Sequence, residues 1–253
     1  CLKIYHLKRI FVALMNDTVI IIPIRLKASR FPNKPFAKIG DLPMLHYIYK
    51  RVSGITDNLF LAICDQEVKE YCEEMKLKFI MTDPNHMSGS DRIGEAVKKL
   101  EEIIKFKFVI NVQGDMPFIS VNHLKLLKEK LLQFQISTLA CPFINIDEAN
   151  NSSKVKVTID QQNYAVNFSR ILDGNLKINK NVFHHIGVYA YHKKFLLEFI
   201  SLPPTQRELD EKLEQLRIID TTKIGVSIIK EEILGVDTKE DLDRVNRLIL
   251  KNE

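Results

Sequence analysis

The sequence predicts an α/β fold of Rossmann-like type, a mostly parallel central sheet with a smaller antiparallel lobe. Three observations carry that expectation. Short apolar, β-branched runs, led by Val19-Ile20-Ile21-Ile22-Pro23-Ile24, lack the alternation of a half-exposed strand and suit strands covered on both faces. Amphipathic segments of crossover length separate them, as a βαβ chain requires. Beyond residue 150 the pattern changes. Val155-Lys156-Val157-Thr158-Ile159 and Tyr164-Ala165-Val166-Asn167-Phe168 alternate on either side of Asp160-Gln161-Gln162-Asn163, which predicts an antiparallel hairpin.

In chain order, the first strand opens into Arg25-Leu26-Lys27-Ala28-Ser29-Arg30-Phe31-Pro32-Asn33-Lys34-Pro35, a loop with four positive charges and no glycine. It is neither a GxGxxG turn nor a Walker A loop, so cationic side chains must supply whatever phosphate affinity it has. The plain alternative is a solvated basic loop. Gly40-Asp41-Leu42-Pro43 is a turn, and 44–52 a helix with Leu45, Ile48 and Val52 on one face. A strand over 59–65, a helix over 67–75 and a strand over 78–81 follow. The polar loop 82–92 feeds a helix expected to reach about Lys105, with Ser88 and Asp91 spaced as a capping box. Phe108 to Val112 is the next strand. Ser120 caps a helix carrying Val121, Leu124, Leu127 and Leu131, and Ile136 to Cys141 is a strand. Residues 145–153 are polar and suit a loop, and Asp173-Gly174-Asn175 a turn. His185-Ile186-Gly187-Val188-Tyr189-Ala190-Tyr191 alternates. With Ile186, Val188 and Ala190 inward, His185, Gly187, Tyr189 and Tyr191 share the other face and form a wall for a polyhydroxy ligand or a cover for a helix. A helix over 193–201 stops at Pro203-Pro204. A further helix spans 205 to about 220, apolar at Leu209, Leu213 and Leu216, with Glu214 and Gln215 beside the stripe. Lys223 to Ile229 is a strand, and Thr238-x-x-Asp241 opens the helix 239–250.

The chain has 253 residues, 45% apolar and 27% charged, with net charge +5 and pI about 8.9. This suits one large soluble α/β domain. No block of Lys and Arg interleaved with aromatics occurs, so nucleic acid is not implied, and an anionic small substrate accounts for the basic balance. Cys1, Cys64, Cys72 and Cys141 contain no CxxC spacing, which argues against zinc and a disulfide framework and for a reducing cytoplasm, with Cys64 and Cys141 buried in strands. No apolar run is long enough to span a membrane. Residues 1–14 are expected to be an upstream extension, and residues 15–253 a single domain whose antiparallel lobe lies near 154–200.

Chemistry concentrates at two strand or loop ends. Asn111-Val112-Gln113-Gly114-Asp115-Met116-Pro117 ends a buried strand on a carboxylate next to a glycine, a place where ligand or metal can approach the backbone. Gly235-Val236-Asp237-Thr238 puts a second carboxylate at a helix mouth. The expectation is that Asp115 and Asp237 meet at one magnesium ion, with a nucleoside triphosphate and an acidic sugar brought to it. Ser88 and Asp91 either cap a helix only or add a nucleotide contact. His86, a lone loop histidine, is not assigned a role.

Six stretches in this order, IPIRLKASRFPNKP, HMSGSDR, NVQGDMP, HHIGVYAY, EKLEQLR and GVDTKEDL, resemble the 3-deoxy-manno-octulosonate (Kdo) cytidylyltransferases over nearly the whole chain after Met15. SGSDR or QGD alone is common to many sugar nucleotidyltransferases, and the HIGVYAY and EKLEQLR pair favours this family. The resemblance implies a Rossmann-like nucleotidyltransferase that makes CMP-Kdo and pyrophosphate from CTP and Kdo for lipopolysaccharide synthesis. It places Arg25, Ser29, Arg30 and Lys34 at the CTP phosphates and base, with Ser88 and Asp91 adding to that site. Asp115 and Asp237 would bind Mg2+, and Asp115, Asp237, Lys34 and Arg25 would be catalytic. Gln113, His185, Tyr189, Glu214 and Gln215 would bind Kdo. It further implies a cytoplasmic homodimer with no nucleic-acid or membrane partner. The chain departs from the family's pattern at Met116, where an acid usually follows QGD, at Asn85 in place of an acid, at Asn33 in place of a glycine, and in a shorter connector over 171–184. Two alternatives stay open: the same chemistry on another acid sugar such as a sialic acid, and, motivated by Met116 and the shorter connector, a catalytically silent CTP-binding protein.

Overall fold

β1 (Thr18–Pro23) is buried for five of its six residues, as its unbroken apolar run demands. It pairs in parallel with β4 (Leu59–Ile63) on one side and β6 (Phe108–Asn111) on the other. The computed structural model describes residues 15–27, 31–86, 88–172 and 181–251. The expected extension 1–14, Ser29, Arg30 and the turn Asp173-Gly174-Asn175 lie outside the described residues. The chain divides into two compact units, residues 1–122 with 233–253, and residues 123–232.

In the first unit, β5 (Phe79–Met81) joins β4 in parallel, giving the order β5-β4-β1-β6. The crossover helices are α1 (Met44–Val52), α2 (Gln66–Glu74) and α3 (Gly89–Leu100). α1 buries Met44, Leu45, Ile48 and Val52, a face the 3.6-residue period marks in the sequence. The expected turn at Gly40 is a two-residue hairpin between β2 (Lys38–Ile39) and β3 (Leu42–Pro43), with Gly40 at φ 56°. α3 ends five residues before the expected Lys105. Its apolar face stops at Leu100, and Ile103 in the next turn is 73% exposed, so nothing rewards continuing the helix. The C-terminal helix Lys239–Leu250 has the expected bounds and a reciprocal capping box, with Asp241 N–H donating to Thr238 Oγ1 and Thr238 N–H to Asp241 Oδ2.

In the second unit, strands β7 (Ile136–Cys141), β8 (Lys156–Ile159), β9 (Tyr164–Ser169), β10 (Val182–His192) and β11 (Ile224–Ile228) run in the order β10-β7-β11-β9-β8. β8 also pairs β10, which closes the set into a ring. β7 and β11 are parallel, and the β10–β7, β10–β8, β8–β9 and β9–β11 pairs are antiparallel. The hairpin β8–β9 is the expected one, turned by Asn163 at φ 60°.

Three local expectations fail here. The polar stretch 145–153 contains a short helix, Ile146–Asn150, because Asn145 accepts from Glu148 N–H and Ala149 is buried beneath it. The helix expected over 205–220 breaks in two. Gln206–Glu211 is α-helical, Lys212 turns left-handed at φ 54°, and Glu214–Arg217 is a 3-10 turn. Leu209 is consequently exposed, while Leu213 and Leu216 are buried. Cys64 is half-buried, and the buried thiols are Cys72 and Cys141, whose pKa values burial pushes up to about 11 and about 12.

Candidate active site

The first unit carries a cleft of about 300 Å3 lined by ends of its parallel strands and the loops that follow them. This is the edge where an open parallel sheet binds ligands. Its walls include Pro23 at the end of β1, Arg25 and Phe31 from the loop after it, Gln113, Gly114 and Asp115 from the turn after β6, and Asp237. His86, Ser88, Gly89 and Arg92 complete it from the entrance to α3.

Lys34 organises the floor. Its Nζ lies 2.9 Å from Asp115 Oδ2, 2.8 Å from the Val236 carbonyl oxygen and 3.5 Å from Asp237 Oδ1. The side chain is only 15% exposed, so these contacts are shielded from water. Asn33, just before it, is left-handed at φ 55°. The turn holding Asp115 is tied to the C-terminal segment by Val236 N–H donating to the Asp115 carbonyl at 2.9 Å. Residues 115 and 237, far apart in sequence, therefore stand on either side of one cation, and Asp237 is exposed at the helix mouth as its position before Thr238 suggests.

The donor set suits magnesium. Hard carboxylate oxygens converge on one point, and Mg2+ commonly takes one or two carboxylates, keeping water and phosphate for its other positions. Among the described residues no cluster of three or more His, Cys, Asp and Glu forms a cage, so the protein alone does not enclose such an ion.

Gly114 is a steric requirement. A Cβ there would lie 2.7 Å from Ile24 Cδ1 and 2.9 Å from the Pro23 carbonyl oxygen. The side chain can yield, but the backbone oxygen moves only with β1.

At the α3 entrance, Ser88 Oγ accepts from Asp91 N–H at 3.1 Å and donates to Asp91 Oδ2 at 2.9 Å. Ser88 lines the cleft, while Asp91 is not among the lining residues. Two titratable lining residues carry no sequence-based assignment. Arg92 is 3% exposed and donates to Thr82 Oγ1. His86 is fixed through Nε2 to Glu95 Oε2 at 2.5 Å. Burial works against ionised Glu95, but Lys99, the Asp83 amide and His86 outweigh it and hold its carboxyl at about 2. A lone histidine is seldom more than surface, and Glu95, nine residues on, gave no sign of pairing with it.

In the second unit, β10 carries a register shift between Ile186 and Tyr189 that interrupts the simple alternation. Ile186, Val188 and Ala190 are buried, but so are His185 and Tyr191. Thr138 Oγ1 serves the irregularity, lying 3.1 Å from the Ile186 carbonyl and 2.9 Å from that of Val188. Its single proton goes to a carbonyl, so its contact with His185 Nε2 at 3.0 Å requires that nitrogen to donate. Phe168, His185, Tyr189 and Tyr191 form a row with successive centroids 5.0, 5.5 and 5.9 Å apart. The Tyr189 hydroxyl and the Gln215 side-chain nitrogen are covered and have no partner among the described residues. A covered, unpaired donor costs about 1–3 kcal/mol, which a ligand oxygen would recover. Burial drives the Tyr189 phenol well above its ordinary 10, so it stays a donor. Glu214 shares the 3-10 turn with Gln215.

Burial, with the neighbouring His184 second, lowers the His185 pKa to about 3. Between pH 6.5 and about 3 the unfolded chain binds a proton that folded His185 refuses, so stability falls as pH drops through that window. Denaturant titrations at pH 7.5 and 5.0 are expected to show wild type losing about 2 kcal/mol more than His185→Gln. Equal losses would mean that His185 is not the group responsible.

A family model described as "Cytidylyltransferase" matches residues 19–228. A 3-deoxy-manno-octulosonate cytidylyltransferase of Leptospira interrogans is 35% identical over 239 residues, covering 92% of this chain and 95% of the relative. The chain belongs to the 3-deoxy-manno-octulosonate cytidylyltransferase family. An 8-amino-3,8-dideoxy-manno-octulosonate cytidylyltransferase of Shewanella is 37% identical over 238 residues, covering 90% of this chain and 96% of the relative. The solved CMP:2-keto-3-deoxy-manno-octonic acid synthetase complexed with CTP superimposes with TM-score 0.85 at 30% identity, covering 94% of this chain and 100% of that one. A 4-diphosphocytidyl-2C-methyl-D-erythritol synthase of Anaerococcus prevotii shares the fold, with TM-score 0.62 at 16% identity.

Two departures from the family's pattern have local explanations. Asn33 occupies a left-handed position where glycine is unstrained, and asparagine is among the residues that tolerate it. Asn85 N–H donates to Asp83 Oδ1 at 2.7 Å, a turn that needs no acid at 85. Met116 sits in the turn after Asp115, its N–H on the Gln113 carbonyl. Arg25 lines the cleft.

For a cytidylyltransferase built this way, Gly114→Ala is expected to lower unfolding free energy by about 1–3 kcal/mol. By shifting the Asp115 turn it should also lower kcat/KM on the order of 100-fold. Urea denaturation and steady-state kinetics check both, and an unchanged kcat/KM would mean the turn tolerates the methyl.

Proposed function

We propose that the protein transfers CMP from CTP to Kdo, releasing pyrophosphate and giving CMP-Kdo for lipopolysaccharide synthesis. The observation that carries this reading is the pairing of Asp115 and Asp237 across one cationic point in a cleft lined by Arg25, Lys34 and Arg92. In the reaction the anomeric hydroxyl of the sugar attacks the α-phosphorus of CTP. The P–O bond to the β-phosphate breaks, pyrophosphate leaves, and the hydroxyl proton passes to solvent or a nearby base. Nucleophile and electrophile both belong to anions, so the residues must offset charge as well as align groups.

Each residue set has a share in that task. Arg25 and Lys34 face the cleft and bind the triphosphate, and the family resemblance adds Ser29 and Arg30, which lie outside the described residues. Ser88 and the first amides of α3 contact the nucleotide, and Asp91 fixes the Ser88 hydroxyl. The family resemblance assigns Gln113, His185, Tyr189, Glu214 and Gln215 to the sugar acid, and in the second unit the covered Tyr189 hydroxyl and Gln215 amide would gain the partners they lack. His185 stays neutral because burial keeps it uncharged at working pH, and with its Nε2–H given to Thr138 it offers Nδ1 as an acceptor. Asp115 and Asp237 would hold magnesium, which when bound screens the repulsion between triphosphate and sugar carboxylate. The protein works as a homodimer in the cytoplasm.

The deciding assay follows pyrophosphate release from CTP and Kdo with Mg2+. Release at a rate near that of a family relative supports the reading, and CTP binding without release identifies a silent homologue. A second acceptor, 8-amino-3,8-dideoxy-manno-octulosonate, is favoured by the name of the Shewanella relative. Competing the two sugars in one reaction and resolving the CMP-sugars by mass separates them.

A further inference from the structure

We propose that Lys34 is a built-in stand-in for the divalent cation, closing the Asp115–Asp237 site until a nucleotide draws the ammonium away. The inference rests on the magnesium reading above and adds an order to it. Two carboxylates facing one point repel unless a cation lies between them, and Lys34 Nζ lies there at 2.9 and 3.5 Å. The ammonium donates to Asp115 Oδ2 and, at 2.8 Å, to the Val236 carbonyl, with Asp237 as its further ion-pair partner. The left-handed Asn33 and the 3-10 turn Lys34–Phe36 fix the start of the side chain, and a four-carbon stem lets its end move. Lys34 also lines the cleft assigned to the triphosphate.

A metal ion arriving alone must displace an ammonium that has no other anionic partner among the described residues. A metal ion arriving with a triphosphate offers the released ammonium a new partner. Metal and nucleotide therefore bind cooperatively, and the acids stay paired in the empty enzyme.

The test titrates Mn2+, which shares the oxygen preference of Mg2+, and follows the free ion by EPR with and without CTP. Wild type, Lys34→Arg and Lys34→Met are compared, with folding verified by circular dichroism. For Lys34→Met without nucleotide, Mn2+ should bind on the order of tenfold or more tighter than for wild type, because a competing charge has gone. Lys34→Arg should remain weak, and the gain in Mn2+ affinity caused by CTP should shrink in Lys34→Met. Metal-free Lys34→Met should also melt below wild type, with Asp115→Asn added to it restoring part of the loss. Equal or weaker Mn2+ binding by Lys34→Met, beside clear binding by wild type with CTP, overturns the stand-in role alone. If no variant with CTP binds more Mn2+ than CTP alone does, the magnesium reading is overturned and this inference with it.

Discussion

Asp115→Asn is expected to lower kcat by about 1,000-fold or more while CTP binds within about tenfold of wild type. Asparagine keeps the shape of the side chain, and the Val236 N–H to Asp115 carbonyl bond uses only backbone. What disappears is one negative charge at the point shared with Asp237 and Lys34. The triphosphate is an anion held by cationic side chains, so losing a nearby carboxylate does not weaken that hold and frees Lys34 for it. The chemical step differs, since it must bring a second anion to the α-phosphorus and needs the charge compensation gathered at Asp115. Calorimetry with CTP and single-turnover kinetics measure the two quantities separately. Parallel losses in affinity and rate would contradict this division and make Asp115 a nucleotide-binding residue.

Much of this site is visible in the sequence because it lies at ends of apolar runs. Asp115 follows a buried strand and Asp237 precedes a capping residue, and both signals survive folding without change. Apart from the end of α3, strand and helix bounds in the parallel unit are likewise legible, because complete burial requires unbroken apolar runs and two-sided helices a 3.6-residue stripe. Single backbone angles are the harder part. Lys212 adopts φ 54° and splits a helix that composition alone would continue, and no residue type there announces it. The β10 register shift turns on the Thr138 hydroxyl, 47 positions from His185 and invisible to any local window. His86 enters the cleft through Glu95, a pairing that needs the loop's three-dimensional course. The departure at Asn33 gains its meaning only from φ, where it is a compatible substitution.

The broken helix also sets up the second large effect. Arg217→Met is expected to cost about 3–5 kcal/mol of stability, read from urea denaturation. Arg217 donates through Nε to Glu208 Oε2 at 2.8 Å and through a terminal nitrogen to Oε1 at 2.5 Å, with side chains 7% and 8% exposed. Its guanidinium also covers the Phe199 ring at 5.0 Å and donates to the Leu202 carbonyl. Glu208 completes the capping box with Thr205, so the pair pins the 3-10 turn Glu214–Arg217 to the preceding helix. Methionine fills volume and leaves a covered carboxylate without its cation, which is the costly half of breaking a buried pair. Adding Glu208→Leu removes that stranded charge and should recover more than half of the loss. Because Gln215 belongs to the pinned turn, KM for Kdo should rise several-fold in Arg217→Met at temperatures where the variant is folded, with KM for CTP little changed. A single-variant cost below about 1 kcal/mol is the behaviour of an exposed ion pair, and it would move the source of the turn's rigidity from this pair to the packing of Leu213 and Leu216.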